Sequence, residues 1–266
     1  MIPEKSDILS DLKGGVFTIT LNRPEKLNAM RLHDFKRLLS LVQEFRDNSE
    51  AQVLILTAKG RAFCAGEDLH ELLEPGEDEL AAIRHRITKL QSITELLYVI
   101  DKPIIAAING IAVGFGVEVT LACDIRIASD NTYFWFAEAT RGLLPANGAF
   151  YLLPRLVGQA YAAQMMLAAE KVNAEDALDI GLISEVTTQA ELMLRAEEIA
   201  HNLIKSSRPA LSMIKKMLRE TSTMDLAQVL ELEIEGTVEL AKQGEILAGV
   251  KRFKERKKKL APSNKA

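Results

Sequence analysis

Val16-Phe17-Thr18-Ile19-Thr20-Leu21 alternates apolar and hydroxyl side chains in a β-rich run, which predicts a strand. Asn22-Arg23-Pro24-Glu25-Lys26 reads as the loop after it. Leu32, Phe35, Leu38, Leu39, Val42 and Phe45 recur at helical spacing and predict an amphipathic helix. Val53-Leu54-Ile55-Leu56-Thr57 is a short apolar run, suited to a strand buried on both faces. Strand followed by helix followed by strand predicts βαβ crossovers and an α/β class. Arg61 to Leu69 reads as a small-residue turn leading into a helix, and the acidic stretch Glu71 to Glu79, with Pro75-Gly76, as a mobile surface segment. Leu80 to Val99 is helical in pattern.

Ile104 to Glu118 is the focal stretch. The apolar run Ile104-Ile105-Ala106-Ala107-Ile108 follows a proline at its entry and predicts a buried strand. Asn109-Gly110 is a turn signal. Gly114 and Gly116 allow backbone N–H groups to approach a ligand with no Cβ in the way. A helix opening there directs its free N–H groups and positive dipole end at whatever lies in front.

Further on, Ile125-Arg126-Ile127-Ala128 and Tyr133-Phe134-Trp135-Phe136 predict two short strands, and Gly142 to Gly148 a loop. Asn173 is placed to cap a helix through Ala174–Ile180 that Gly181 stops. Leu192, Ala196, Ile199 and Leu203 mark a later helix; Leu211, Ile214 and Leu218 mark another, started by Pro209. Leu226, Val229, Leu230 and Leu240 fall on a long polar-rich helix. The organisation expected is an α/β core over residues 1–190 and a helical region over 191–266. The apolar positions of that region must bury against the chain's own core or against a neighbouring subunit.

The 266 residues suit one large domain with an appended helical part, and 48% hydrophobic content allows a substantial core. A formal net charge of −4 gives no footprint for nucleic acid or an acidic membrane surface. The run from Lys251 to Lys259 is basic, which suits a solvated helix end. Cys64 and Cys123 have neither disulfide-framework nor zinc-site spacing, so no metal is expected and a reducing compartment fits. The polar N-terminus reads as neither a secretory signal nor a transit peptide, and Asn264-Lys265-Ala266 is no usual peroxisomal address. Charged and polar interruptions argue against a membrane span in the long apolar stretch from Ile104 to Ala128. A cytoplasmic protein without membrane partners is the expectation.

Two carboxylates stand out, Glu118 at the predicted helix start and Glu138 after the aromatic strand. Two acids in an apolar, Gly-lined pocket divide roles, one ionised as base and one holding a proton to donate. The spacing alone also fits two unrelated surface glutamates.

Leu21-Asn22-Arg23-Pro24-Glu25-Lys26-Leu27-Asn28-Ala29-Met30 resembles the opening motif of the enoyl-CoA hydratase/isomerase (crotonase) superfamily. Phe63-Cys64-Ala65-Gly66-Glu67-Asp68-Leu69 resembles its second motif, and Asn109 to Glu118, followed by Ala122 to Ala128, its third. Phe136-Ala137-Glu138, Gly142-Leu143-Leu144-Pro145 and Asp179 to Val186 continue the resemblance in order. It implies a ββα spiral core with a C-terminal helical trimerisation region, assembled as a homotrimer or homohexamer. It implies an acyl-CoA substrate and no separate cofactor, CoA being part of the substrate. The backbone N–H groups of Glu67 and Phe115 would form an oxyanion hole for the thioester oxygen. Glu118 and Glu138 would hold a water over the double bond of a trans-2-enoyl-CoA. CoA contacts would fall on Lys26, Leu27, Ala65, Asp68 and Leu69, with Gly114 giving close backbone approach. Phe253 and Arg256 of a neighbouring tail would cover the nucleotide end. An isomerase on the same scaffold needs only the base at Glu138, and other acyl-CoA reactions of the superfamily, such as hydrolysis, decarboxylation or ring opening, share overlapping motifs. A scaffold protein with a degenerate site is the reading from a different class.

Three departures from the family pattern bear on the pocket. Phe115 stands where Gly is common, so its ring must be accommodated. Glu67 is acidic where small or apolar residues are frequent, so its side chain is expected to point away from the enolate. Asn147-Gly148-Ala149 replaces a more glycine-rich turn. Trp135 and Phe136 are expected to pack as core, and His33, His70, His85 and His201 lie outside the matched catalytic positions.

Overall fold

The computed structural model describes residues 7–68 and 79–260. β1 (Ile8–Lys13) and β2 (Val16–Leu21) form an antiparallel hairpin. Gly14 (φ 58°) and Gly15 (φ 85°) turn it, both in the left-handed region that a tight hairpin demands. β1 has no counterpart in the sequence reading, because its polar Ser10, Asp11 and Lys13 mask the alternation.

β2 opens a parallel array with β3 (Val53–Ala58), β5 (Ile104–Ile108), β7 (Ile125–Ser129) and β10 (Glu185–Thr187). A second sheet is built from β4 (Ala62–Cys64), β6 (Ile111–Val113), β8 (Tyr133–Trp135) and β9 (Val172–Asn173). Each pass of the chain gives one strand to the first sheet and the next to the second: β3 then β4, β5 then β6, β7 then β8. The repeat winds the chain into a spiral.

This architecture corrects two local readings. Ala62–Cys64 is a strand where the sequence reads as a turn, and Ile111–Val113 is a strand where it reads as turn passing directly into helix. Three-residue strands are too short to show a period. They exist because β4, β6 and β8 pair with one another across long stretches of sequence. The segment from Leu69 to residue 78, read as helix entry and acidic surface, lies outside the described residues.

The period of two explains the continuous apolar strands. Leu54, Leu56, Ile104, Ala106 and Ile108 face the main core with α1 (Leu32–Asp47) and α2 (Glu79–Val99). Val53, Ile55, Ile105 and Ala107 face the opposite side, which a later helix covers. α3 (Phe115–Leu121) follows β6, and α4 (Ala149–Leu167) follows β8. α5 (Ala174–Asp179) is capped by Asn173 Oδ1, which accepts from the Asp176 N–H at 2.9 Å, and Gly181 follows at φ 77°. α6 (Leu192–Ile204) closes the outer face of the large sheet through Leu192, Ala196 and Ala200.

α7 (Arg208–Glu220), α8 (Leu226–Lys242) and α9 (Glu245–Leu260) follow. Ser207 and Asp225 cap the first two, and Pro209 lies in the first turn of α7. Lys215 anchors α7 to the core, its Nζ donating to Asp124 Oδ2 at 2.7 Å and to the Lys102 carbonyl at 3.0 Å. Leu218, Leu226, Leu230, Ile234, Leu247 and Phe253 remain exposed on these helices. Among the described residues no helix is long and apolar enough to cross a membrane, and both cysteines are buried as free thiols.

Candidate active site

Two glycines decide how closely the sheets' ends approach. A Cβ at Gly116 would lie 2.2 Å from the Cys64 carbonyl oxygen, so only glycine lets α3 start against the end of β4. Gly66, at φ 93°, turns the chain after β4, and its ideal Cβ position is 3.9 Å from the Phe115 nitrogen. The Glu67 and Phe115 segments are thereby brought side by side.

Glu67 makes a single parallel bridge to Met30. The Met30 N–H donates to the Gly66 carbonyl, and the Asp68 N–H to the Met30 carbonyl, both at 2.8 Å. In such a ladder the flanking residues use that edge, which turns the N–H of Glu67 to the opposite one. Phe115 is the first residue of α3, so its N–H has no intrahelical acceptor. The Phe115 ring is buried in the core, edge-on to Phe35 with centroids 4.8 Å apart. It is accommodated away from the helix mouth. The Glu67 side chain turns to α2, where Arg86 Nε donates to its Oε2 at 2.7 Å.

Glu118 projects from the first turn of α3 and is 4% exposed. The Asn147 N–H donates to its Oε1 at 3.0 Å. Burial pushes its carboxyl up to about 8; the Asn147 hydrogen bond opposes the rise, and the nearby charges of Glu138 and Glu67 add to it. Glu138 immediately precedes the short 3-10 turn Ala139–Arg141, and its side chain makes no capping hydrogen bond to it. Burial raises its carboxyl above the usual range, with Arg141 pulling the other way. Its Oε2 is buried with no hydrogen-bond partner among the described residues. Its Oε1 lies against Gly114, 2.6 Å from where a Cβ would stand. Gly114 has φ 52° and ψ −119°, a conformation that glycine dominates. Thus Glu118, Glu138, Gly114 and the Glu67 and Phe115 amides converge.

The loop set gathers at the same edge. Leu27 is left-handed at φ 53°, and the Ala65 N–H donates to its carbonyl at 3.0 Å. Asp68 pairs with Arg23 at 3.0 Å, and Lys26 is exposed at the end of the 3-10 turn Pro24–Lys26. Leu69 lies outside the described residues, as does the side chain of Arg256. Phe253 is exposed on α9. Phe136 is fully buried in the core, and Trp135 donates its indole N–H to the Ala169 carbonyl at 2.8 Å.

Three residues not singled out for a role in the sequence complete the surroundings. Asn147 holds Glu118 through its backbone, a function no side-chain pattern reports. Its own amide is buried with no partner among the described residues. Arg86 meets Glu67 only through the tertiary fold, whereas Arg141 stands three residues after Glu138, at the end of the 3-10 turn, and acts on it through its charge. A cavity of about 320 Å³ opens beside this loop, between α2 and the start of α4, lined by Gln91, Thr94, Tyr98, Asn147, Gly148 and Tyr151.

A spiral of two sheets thus brings two buried carboxylates to one edge beside two outward backbone amides, an arrangement suited to moving protons next to a developing negative charge. The chain belongs to the family described as Enoyl-CoA hydratase/isomerase, whose pattern it matches over residues 11–261. It is 35% identical to the short-chain-enoyl-CoA hydratase of Clostridium acetobutylicum over 233 residues, 87% of this chain and 88% of that one. It is 33% identical to the 1,2-epoxyphenylacetyl-CoA isomerase of Escherichia coli over 230 residues, 85% of this chain and 87% of that one. The crystal structure of an enoyl-CoA hydratase from Bacillus anthracis superposes with a TM-score of 0.89 at 30% identity, covering 94% of this chain and 97% of that one. The chain is therefore a crotonase-superfamily enzyme.

Proposed function

We propose that the protein is an enoyl-CoA hydratase, adding water across the C2–C3 double bond of a trans-2-enoyl-CoA. The observation that carries this reading is the pair of buried carboxylates, Glu118 and Glu138, at one Gly-lined edge with two outward amides. In this reading the thioester oxygen accepts from the Glu67 and Phe115 N–H groups. Fixed donors of this kind stabilise the enolate as charge develops, each lowering the barrier by about 2.7–4 kcal/mol.

The charge of Glu138 works against ionisation of Glu118, so the pair shares one proton and one negative charge. Without substrate, burial keeps that proton on Glu118; for the reaction it passes to Glu138, which leaves Glu118 ionised as the base. Water lies between the two carboxylates. Glu118, oriented by the Asn147 N–H, takes a proton as hydroxide oxygen bonds to C3. Glu138 lies beside Gly114, next to the Phe115 donor, and delivers its proton to C2 of the enolate. One proton enters the pair and one leaves, so its net charge is unchanged. Lys26, Leu27, Ala65 and Asp68 receive the CoA portion, Lys26 meeting a phosphate as a point charge. The cavity beside Asn147 receives the acyl chain. The exposed apolar residues of α7 to α9 support assembly as a homotrimer or homohexamer.

The test is loss of conjugated enoyl absorbance with crotonyl-CoA. Glu118→Gln and Glu138→Gln are each expected to lower kcat by about 10²–10⁴-fold. Near-normal hydration by both variants would overturn the two-carboxylate mechanism. Turnover of 3-enoyl-CoA but not of 2-enoyl-CoA would reassign the chain as an isomerase working through Glu138.

A further inference from the structure

An acidic residue stands at one of the two proposed oxyanion donors. Its carboxylate is close enough to raise both Glu118 and Glu138 through its charge. Left uncompensated, it would also oppose the enolate forming in front of its own N–H. Arg86 meets that carboxylate at 2.7 Å, and neither side chain is more than 25% exposed. Arg86 comes from α2, nineteen residues further along the chain, so the pair fastens the Glu67 bridge segment to that helix. Among the described residues, the other charges that reach these groups are Arg141, beside Glu138, the two glutamates themselves, and Asp34, which acts with Glu67 on Cys64; Cys64 stays a neutral thiol, burial pushing it up to about 12.

We infer that Arg86 is a positioning residue of the reaction: its guanidinium holds the Glu67 carboxylate away from the acyl thioester and offsets part of its charge, leaving the Glu67 N–H aimed at the thioester oxygen. The inference rests on the reading of that N–H as a donor. The arrangement allows an acidic side chain at a position where its charge would otherwise work against the chemistry. Arg86 acts through Glu67 and does not itself touch the reacting atoms.

The test compares wild type, Arg86→Met, Arg86→Lys and the double variant Glu67→Gln/Arg86→Met, each as the full chain. A unit charge about 8 Å away in an effective dielectric of about 20 changes a rate by roughly thirtyfold, so Arg86→Met is expected to lower kcat by about that factor. Its KM should stay within about threefold, since backbone hydrogen bonds to Leu27 and Met30 still hold the segment that carries Ala65 and Asp68. The acid limb of the kcat profile should move to higher pH, because Glu67 then opposes ionisation of the glutamate pair. Arg86→Lys should restore most of the rate, and the double variant should exceed Arg86→Met by about tenfold. Arg86→Met with an unchanged kcat and pH profile would overturn the inference. So would a double variant no faster than Arg86→Met, which would give Arg86 a role independent of Glu67. Carbon-13 titration of the glutamate carboxyls reads the same charge without turnover. If wild type fails to hydrate crotonyl-CoA, the proposed reaction fails, and the titration still decides whether Arg86 compensates Glu67. An unmoved titration in folded Arg86→Met would sink the inference by itself.

Discussion

Gly114→Ala isolates the step from backbone geometry to chemistry. The residue sits at φ 52° and ψ −119°, where alanine carries about 1–3 kcal/mol of strain. Its new Cβ would stand 2.6 Å from Glu138 Oε1 and 3.5 Å from the Glu138 carboxyl carbon. Ordinary contact begins at about 3.4 Å, so the carboxylate must withdraw by about 0.8 Å. Misplacement of a reacting group by about 1 Å costs roughly 10²-fold in rate. The expected result is a fall of about 10²-fold in kcat for crotonyl-CoA hydration, with KM changed by no more than about threefold. Urea unfolding should register the strain separately, as a loss of about 1–3 kcal/mol. The absorbance assay and the denaturation curve together distinguish a displaced Glu138 from a damaged fold. A folded variant with kcat within about threefold of wild type would show that Glu138 does not work from beside Gly114, and the reasoning would fail.

Two further predictions concern stability. Glu118 binds its proton more tightly in the folded chain, about 8, than at its ordinary value of 4.5. Its contribution to stability is therefore complete below 4.5 and lost as pH rises through about 8. Glu118→Gln removes that loss, so its stability relative to wild type should climb by a few kcal/mol across this window in denaturant titrations at successive pH values; a difference independent of pH would contradict the burial argument. Gly116→Ala places a Cβ 2.2 Å from the Cys64 carbonyl oxygen and must push two backbones apart. A loss of about 1–3 kcal/mol in urea unfolding is expected, together with reduced hydration because the two amide donors separate; full stability would refute the close approach.

Short-range pattern accounts for the elements whose signal is long enough to repeat. Leu32, Phe35, Leu38, Leu39, Val42 and Phe45 specify α1 because a 3.6-residue period needs several turns to declare itself, and all but Leu32 and Leu39 are buried. The apolar runs at β3 and β5 declare strands covered on both faces, and the two core clusters divide their residues alternately. Asn173 and Gly181 punctuate α5 because capping is local chemistry. The residues themselves singled out Glu118, Glu138 and the glycine-rich turn, and motif resemblance added the roles expected of them.

What no window of sequence contains is partnership at a distance. β4 and β6 are three residues each and exist through their mutual pairing. β1 carries too many polar residues to show its alternation, yet β2 pairs with it along its full length. Whether α6 would cover the large sheet or pack elsewhere was decided by which face of β3 and β5 remained open. The rise of the Glu118 carboxyl comes from burial, which depends on the whole fold. Asn147 holds Glu118 by a backbone N–H that every residue but proline possesses, and Arg86 finds Glu67 only once α2 is docked. The sequence by itself determined which residues can form helices, strands and turns, because those preferences act over a few neighbours. The tertiary structure alone decided which carboxylates lose water, which amides face outward and which charge is offset, because dielectric, distance and hydrogen-bond geometry are set by residues far apart in the chain.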